Sequence, residues 1–293
     1  MIPVRPFQRE NALRYSVYYA ARLLPHPTVR NRVAAAVRFC INTRQGKPEK
    51  AGGAPAQAAM AALRDGGLAP VSGPLDTAQL DAIMGYLATA PVAKGASTEP
   101  VTAQSLGVRS AAYDLPTILA CPSLLGVMND PEVLAVAAGF LGCKPTISGV
   151  GLRWSFACDD AQSTTQQFHR DMEDWKILRL FVYLTDVYDD CGPHQFVSAS
   201  HKTRGRLRLR PYSDQDVADR FGSEKVVTIV GPRGTAFMAD MWGVHRGVPP
   251  SGRPRLLFSC TYTMTPTSIY HYSPVAVAGG HAYDRYTNRL IIR

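Results

Sequence analysis

Two histidines and one aspartate have the types and spacing expected of a metal site. His169 and Asp171 stand two residues apart in FHRD, and His245 follows 74 residues after Asp171 in WGVHRG. In a β-strand, residues i and i+2 face the same side, so His169 and Asp171 can converge while Arg170 points away. Two imidazoles and one carboxylate form the ligand set of non-haem Fe(II) oxygenases. A surface histidine beside a helix-capping aspartate would give the same short motif.

The charge of this ligand set favours a chelating oxo-acid as a co-ligand. Two neutral imidazoles and one carboxylate leave an Fe(II) site with a net charge of about +1 and open coordination positions. A 2-oxo acid and O2 could share those positions. Oxygen ligands alone would indicate Mg or Ca, and thiolates would indicate Zn or an Fe–S cluster, but the sequence shows neither pattern.

Arginines near the third candidate ligand could bind a carboxylate. Arg255 stands ten residues after His245, at the start of a predicted strand, where it could grip a carboxylate with two hydrogen bonds. Arg253 precedes Pro254, which places it in the preceding turn. On the predicted strand 176–187, alternate residues share one face, which either lines a cavity or meets solvent. The cavity interpretation makes Arg179 and Tyr183, on that face with Phe181 and Thr185, candidate cofactor-binding residues.

The remaining histidines are interpreted differently. His194 and His201 follow Gly192 and Pro193, so we expect them to brace a turn by hydrogen bonding. His26, His271 and His281 show no partner pattern.

The elements that must position these residues are mostly strands. Six segments are rich in β-branched and aromatic residues and are separated by Gly, Pro and Asp. They are residues 147–157, 176–187, 194–200, 225–230, 234–240 and 255–264. Six or more strands without long helices between them predict an antiparallel sandwich or barrel. Predicted helices at 57–64 and 77–87, and short helices within 116–141, precede the strands. The fold class is mainly β with flanking helices.

Almost all of the net charge of +9 lies in the first 50 residues. This segment holds ten basic and two acidic residues, whereas the rest of the chain holds 22 basic and 21 acidic residues. Spacings of three and four predict helices at 10–24 and 28–42, with Pro25 ending the first. One interpretation is a basic amphipathic pair on an anionic membrane surface. The other is a helical hairpin packed on the main domain, with solvated arginines. A mitochondrial presequence is less consistent, because the segment has a single serine.

The amino-acid composition indicates the class of protein and its cellular compartment. The hydrophobic content of 46% and charged content of 19% fit a globular protein. We find no apolar run of about 18 residues and no signal-peptide pattern. The six cysteines form no CxxC pair, so we expect reduced thiols and a cytoplasmic protein. Under the membrane interpretation, the first 50 residues would attach this protein to a membrane surface. Residues 45–56 form a linker, which divides a basic N-terminal arm (1–50) from a catalytic domain (51–293).

Four segments together resemble a known family. FHRD, LRLFVYLTDV, GPHQFVSASH and GTAFMADMWGVHRGVPPSGRPRLLF are similar to the phytanoyl-CoA dioxygenase-like oxygenases. The resemblance covers roughly residues 57–265. It implies a double-stranded β-helix core of the jelly-roll, cupin-like type, with Fe(II) and 2-oxoglutarate as cofactors. Residue by residue, it implies that His169, Asp171 and His245 bind iron and that Arg255 binds the distal carboxylate of 2-oxoglutarate.

The sequence departs from the family in one turn. Ser198 and Ala199 stand where the family usually has Pro-Gly, although His201 keeps its place. The local turn geometry is therefore open. Asp171 is present, whereas related halogenases replace this carboxylate with a small residue to admit chloride. The resemblance therefore implies hydroxylation and not halogenation.

The implied reaction consumes O2 and 2-oxoglutarate, releases succinate and CO2, and hydroxylates a small-molecule, acyl or glycolipid-type substrate. One alternative is a β-helix protein that binds metal or ligand without turnover, and an intact Arg255 beside an intact triad argues against it. Another is an oxygenase acting on nucleic acid. The aromatic residues of the basic arm cluster on one predicted helix and do not interleave along a groove, which argues against nucleic-acid binding.

Overall fold

The structure is a computed structural model that describes residues 19, 21–48, 52–94, 97–100, 108–157, 166–266 and 273–293. Its helices are α1 (Pro27–Gln45), α2 (Ala54–Asp65), α3 (Thr77–Leu87), α4 (Leu115–Ala120), α5 (Leu124–Met128), α6 (Pro131–Leu141), α7 (Asp214–Phe221) and α8 (Arg285–Asn288). Its strands are β1 (Leu68–Val71), β2 (Pro91–Lys94), β3 (Ser97–Pro100), β4 (Ser110–Ala112), β5 (Thr146–Ser155), β6 (Ile177–Tyr183), β7 (His194–Val197), β8 (Val226–Ile229), β9 (Ala236–Asp240), β10 (His245–Gly247) and β11 (Arg255–Thr263).

These strands form two sheets with antiparallel pairing. The larger sheet has the order β1-β9-β6-β11-β5-β4-β2-β3, and the smaller has the order β10-β7-β8. Isolated bridges join Phe168 to Tyr212 and His169 to His245, so residues 168–169 extend the small sheet beside β10. From β5 onward the chain alternates between the sheets, with β7 and β8 as consecutive strands of the small sheet. This alternation is that of a jelly roll, as predicted.

Alternate side chains of β6 belong to two different hydrophobic clusters, one on each face of the sheet. Leu178, Leu180 and Val182 belong to the main hydrophobic core, which the helices also enter. Phe181 and Tyr183 belong to a second cluster. Alternate residues of a strand point to opposite faces, so the second face looks toward the small sheet. Arg179 shares that face, which makes the predicted cavity-lining face an interior face.

Most predicted strands are confirmed within a few residues at each end. The largest boundary error is the segment 176–187, where the strand ends at Tyr183. The prediction that His169 and Asp171 lie in a regular strand is wrong. Residues 168 and 169 make only single bridges, and residues 170–176 form a loop. The amide of Asp171 instead donates to Met241 O at 3.0 Å, outside any ladder.

The helices that precede the barrel follow their sequence signals. The predicted helix 77–87 matches α3, and Asp76 caps it in a reciprocal capping box with Gln79. The predicted helix 57–64 lies inside α2. The most apolar helical stretch, Leu124–Leu141, has a mean hydropathy of 1.4. This stretch is divided into two helices, α5 and α6. The division falls at Asp130, whose side chain accepts hydrogen bonds from the first amides of α6 and so caps that helix.

The N-terminal arm packs on the barrel where it is described. The predicted helix 28–42 is confirmed as part of α1, whereas the predicted helix 10–24 falls mostly outside the described residues. Arg30 and Ala34 are buried, and Val33 and Val37 pack against the main core. The hairpin interpretation requires apolar residues of the predicted helix 10–24, Leu13, Val17 and Leu24, to pack on the main domain. Leu13 and Val17 lie outside the described residues, and Leu24 is exposed. The division of the chain at residue 50 stays a prediction.

Candidate metal centre

The three predicted ligands converge on one point. Candidate ligand atoms of His169, Asp171 and His245 all lie within 4.8 Å of one another. His169 Nε2 is 3.6 Å from Asp171 Oδ1, and His245 Nε2 is 3.8 Å from Asp171 Oδ2. These separations leave room for one ion among the three donors. Of the residues that the structure describes, these are the only three His, Cys, Asp or Glu side chains that form such a group.

Backbone hydrogen bonds fix the positions of the three residues. His169 N donates to His245 O at 2.9 Å, and His245 N donates to His169 O at 3.0 Å. The Asp171 amide bond to Met241 joins the loop after His169 to the loop before His245. Two distant segments of the chain are therefore held together by the main chain, independently of any ligand.

Hydrogen bonds at the far ring nitrogens orient both imidazoles. His169 Nδ1 lies 2.8 Å from Gln167 O, and His245 Nδ1 lies 3.0 Å from Gly243 O. A carbonyl oxygen can only accept, so each Nδ1 carries the proton and each Nε2 turns a lone pair toward Asp171. Burial, and then the neighbouring His169, lower the pKa of His245 to about 3, against the opposite effect of Asp171. Its ring is therefore neutral at pH 7, as a metal ligand must be.

Arg179 holds the carboxylate of the group. Arg179 Nη1 lies 3.0 Å from Asp171 Oδ2, and its Nε donates to Thr261 Oγ1 at 2.9 Å. Burial acts to raise the pKa of Asp171, but Arg179 and the two histidines outweigh it and lower that pKa below its ordinary value. Asp171 is therefore an anion at neutral pH. The structure places Arg179 inside the barrel, while its role in cofactor binding stays a prediction.

Arg255 is buried in the same barrel, with 3% of its surface exposed. Its Nη1 donates to Gly192 O, and its Nε is buried without a hydrogen-bond partner. Burial lowers the pKa of Arg255 to about 10, so it remains a cation at neutral pH. Arg253 lies outside instead, paired with Asp190 through two hydrogen bonds of 2.9 Å, as expected for the turn.

Tyr183 and His194 lie beside the triad on the same interior face. The Tyr183 hydroxyl donates to Ile229 O at 2.9 Å and accepts from His194 N at 3.0 Å. The His194 ring stacks on His245 with 5.6 Å between centroids. Burial lowers the pKa of His194, and the charges of His245 and Arg255 act in the same direction. His194 is therefore neutral and adjacent to both groups.

The prediction that His194 braces a turn is wrong. It opens β7 with its ring inside the barrel, and its Nε2 is buried without a partner. His194 and Phe196 stand two residues apart on β7, and both are buried. Because residues i and i+2 of a strand share a face, this spacing is the sequence signal that could have placed His194 inside the barrel. His201 does brace its turn, because its Nε2 lies 3.2 Å from Arg64 O.

The atypical turn after β7 has an identifiable strain. Ala199 adopts a φ of 59°, in the left-handed region that glycine occupies without a steric cost. Its amide donates to Gly66 O at 2.8 Å, so the conformation is held by the neighbouring chain. The family's usual glycine would remove the strain at this position.

We therefore expect Ala199→Gly to stabilise the protein. Relief of the left-handed strain is worth about 1–2 kcal/mol, and the extra freedom of glycine in the unfolded chain returns about 0.4–1 kcal/mol of it. The free energy of unfolding should rise by roughly 0.5–1 kcal/mol, measured by urea titration. Ala88→Gly, at the right-handed end of α3, should destabilise the protein instead. A lower stability of Ala199→Gly would contradict the assignment of strain.

Three of the buried polar atoms without hydrogen-bond partners belong to residues in or next to the candidate site. They are Arg255 Nε, His194 Nε2 and Glu173 Oε2. Burial, and then the charge of Asp171, raises the pKa of Glu173 to about 7. An unpaired buried polar group costs roughly 1–3 kcal/mol, which a ligand with matching hydrogen-bonding atoms would recover. The donor at Arg255 fits a carboxylate, and the triad fits a divalent ion with N and O preference.

Comparison with protein-family models and with curated proteins finds no match. Solved structures do match. One is the non-haem alpha ketoglutarate dependent epimerase SnoN from nogalamycin biosynthesis, at 19% identity over 76% of this chain and 89% of that chain, with a TM-score of 0.52. Another is EctD from S. alaskensis with bound Fe, at 18% identity over 84% of this chain and 88% of that chain, with a TM-score of 0.52. These likenesses confirm the mainly β, jelly-roll fold.

Proposed function

We propose that the chain is an Fe(II)- and 2-oxoglutarate-dependent dioxygenase that hydroxylates a small molecule. The observation that carries the proposal is the convergence of His169, Asp171 and His245 within 4.8 Å, with Arg255 buried in the same barrel. Two imidazoles and one carboxylate with open coordination positions form the ligand set of non-haem Fe(II) oxygenases. The buried guanidinium selects an anionic co-ligand.

Structures of similar fold support this assignment of cofactors. SnoN has been crystallised in complex with Fe3+, alpha ketoglutarate and nogalamycin RO, at 18% identity and a TM-score of 0.52. EctD from S. alaskensis has been crystallised with 2-oxoglutarate and 5-hydroxyectoine, at 18% identity over 77% of this chain and 83% of that chain, with a TM-score of 0.50. The substrates named in these structures differ from each other, so they support the cofactor pair and not a particular substrate.

Each part of the site has a definite task under this proposal. His169 and His245 would present Nε2 lone pairs to iron, and Asp171 would supply the anionic ligand. When bound, iron and 2-oxoglutarate supply the oxidising chemistry, with O2 consumed and succinate and CO2 released. Arg255 would pair with the far carboxylate of 2-oxoglutarate, where its Nε lacks a partner. The surrounding apolar cluster excludes water and strengthens these charge interactions.

Arg179 and Tyr183 remain the other proposed cofactor-pocket residues. Arg179 keeps Asp171 ionised and in place through the 3.0 Å pair, so its effect on the cofactor would act largely through that ligand. Tyr183 gives its only proton to Ile229 O, so it would shape the pocket beside Arg255 without donating to 2-oxoglutarate.

Binding and turnover separate the proposed enzyme from a protein that only binds. We expect anaerobic titration with Fe(II), followed by 2-oxoglutarate, to show one site for each. Aerobic succinate release should then increase with a small-molecule substrate from a metabolite panel. Binding of both cofactors without succinate release would favour the inactive binding protein, and stimulation by oligonucleotides would favour the nucleic-acid alternative. Absence of Fe(II) binding would contradict the metal site itself.

We also propose a cytoplasmic location, with peripheral contact between the arm and an anionic membrane. The inner face of α1 packs on the barrel, while Leu23 and Phe39 are 77% and 73% exposed and Arg32 and Arg44 are exposed nearby along the chain. Basic residues near an anionic surface contribute about 1 kcal/mol each, and salt screens the attraction.

Co-sedimentation with liposomes tests this contact. The full chain should pellet with phosphatidylserine-containing vesicles at low salt and be released at about 0.5 M salt, where the screening length falls to about 4 Å. The double variant Arg32→Gln/Arg44→Gln should pellet less than the parent at the same salt. Recovery equal to that with neutral vesicles would mean that the exposed arginines are simply solvated.

A further inference from the structure

One arginine of the basic arm is completely buried. Arg30, in α1, has an exposed fraction of 0%, whereas arginines nearby in the helix, such as Arg32 and Arg38, are exposed. Arginine is almost never fully buried unless its charge is compensated. Burial lowers the pKa of Arg30 to about 10, so the side chain is still a cation at neutral pH. A buried cation in an arm outside the catalytic barrel requires an explanation.

The residues that Arg30 contacts lie near the metal centre. Its Nη2 donates to Asp174 O and its Nη1 donates to Ala21 O. Its guanidinium also lies 4.8 Å from the centre of the Trp242 ring and 5.5 Å from the centre of the Trp175 ring. Cation–π contacts of this kind strengthen when they are removed from water.

These contacts reach both loops that carry the proposed ligands. Asp174 and Trp175 stand three and four residues after Asp171 in the loop 170–176, and Trp242 stands three residues before His245. The two loops already meet through the Asp171–Met241 hydrogen bond. Arg30 therefore bridges the loop of the carboxylate ligand to the loop of the distal histidine from outside the barrel.

The far side of the 170–176 loop is fixed to the barrel. The Asp174 carboxylate accepts hydrogen bonds from Met264 N at 2.7 Å and from Thr265 N at 3.1 Å, and from Thr265 Oγ1 at 2.8 Å. The loop is thus held by the end of β11 on one side and by Arg30 on the other. Since residues 170–176 form no ladder of their own, these contacts take the place of strand pairing.

The segment before α1 lies beside the same site. Ala21 is fully buried and is held through its carbonyl by Arg30, and Pro25 O accepts a hydrogen bond from Leu207 N at 2.9 Å. The arm therefore contacts, through Arg30, the two loops that carry the proposed ligands.

We propose that Arg30 is a positioning residue of the metal centre, so that the N-terminal arm is an integral part of the catalytic site. The inference rests on the proposed function, because it concerns the same three ligands. Groups that hydrogen-bond directly to metal ligands typically change metal affinity by about 10–100-fold when they are removed. Arg30 lies one contact further out, so we expect an effect at the lower end of that range. Arg30→Met keeps the length of the side chain but removes both carbonyl contacts and the charge.

Metal binding, measured without turnover, tests the inference. The Kd for Mn(II) in the presence of 2-oxoglutarate should rise about 10-fold in Arg30→Met. Arg32→Met makes the same chemical change on an exposed residue of the same helix and should leave this Kd unchanged. Arg30→Lys keeps a cation but cannot reach two carbonyls at once, so its Kd should lie between those of the wild type and Arg30→Met.

A destabilised core variant separates positioning from general loss of stability. Ile118→Ala empties part of the main core in α4 and should lower the Tm without weakening Mn(II) binding. If Arg30→Met does not fold, Arg30→Lys is compared with Ile118→Ala instead. The inference is overturned if the Arg30 variants bind Mn(II) as tightly as the wild type, or if Ile118→Ala weakens binding equally. A wild-type chain that binds no Mn(II) or Fe(II) would instead refute the proposed function.

Discussion

His169→Ala and Asp171→Ala should each abolish Fe(II) binding and the turnover of 2-oxoglutarate. Each variant removes one of the three donors that lie within 4.8 Å, and Asp171→Ala also leaves Arg179 without its 3.0 Å partner. Since loss of an outer contact already weakens metal binding by about 10–100-fold, loss of a ligand should exceed 100-fold. Equilibrium dialysis with Fe(II) under anaerobic conditions measures the first effect, and succinate release measures the second.

His201→Ala is the matched control for these two variants. It removes an imidazole that braces a turn against Arg64 and takes no part in the three-residue group. Fe(II) affinity should therefore be retained in this variant even if its Tm falls. Full turnover in both His169→Ala and Asp171→Ala would overturn the metal site.

Arg255→Leu should raise the KM for 2-oxoglutarate much more than it weakens Fe(II) binding. The substitution removes the buried cation that we pair with the distal carboxylate, without changing any of the three ligands. Loss of one partner of a buried charge pair costs about 2–5 kcal/mol, and 3 kcal/mol corresponds to roughly 100-fold in affinity. Steady-state kinetics over a range of 2-oxoglutarate concentrations measures the effect, and anaerobic dialysis measures Fe(II).

Arg253→Leu is the control, since Arg253 is 58% exposed and pairs with Asp190 at the surface. The KM of this variant should match that of the wild type. Equal losses of Fe(II) and 2-oxoglutarate binding in Arg255→Leu would indicate misfolding, because Arg255 also holds Gly192 O. A raised KM in Arg253→Leu with a normal KM in Arg255→Leu would mean that the other arginine binds the carboxylate.

Much of the barrel could be predicted because its strands have local signatures. Alternating β-branched and aromatic residues place β5, β6, β9 and β11 within a few residues of their observed bounds. The two-residue spacing of His169 and Asp171 predicted their convergence, although the chain there makes only single bridges. An extended backbone brings residues i and i+2 to the same side even without strand pairing. The predicted convergence is therefore correct, although the predicted regular strand is wrong.

Other parts of the site depend on contacts that local sequence does not encode. Arg30 is one of ten basic residues in the first 50, and its burial follows from the positions of Asp174, Trp175 and Trp242 far along the chain. The pairing of Arg179 with Asp171 likewise requires the register of the assembled sheet. His194 was assigned to a turn because Gly192 and Pro193 precede it, but the strand begins at His194 itself.

The packing of the arm is the feature that composition predicts least. The charge of the arm distinguishes it from the rest of the chain, and the predicted linker at 45–56 agrees with a division there. Charge composition does not report which side of a helix is buried, however. With Arg30 and Ala34 buried on one side and Phe39 exposed on the other, α1 can contact the loops that carry the proposed ligands and a second surface at once.

The most direct test of the central claim is the fate of 2-oxoglutarate in air with Fe(II) and no added substrate. We predict slow formation of succinate and CO2 in equal amounts, dependent on Fe(II) and removed by chelation. The reaction should be absent in Asp171→Ala and present in His201→Ala. If the wild-type chain binds Fe(II) and 2-oxoglutarate but forms no succinate under these conditions or with any substrate of the panel, the dioxygenase assignment is contradicted.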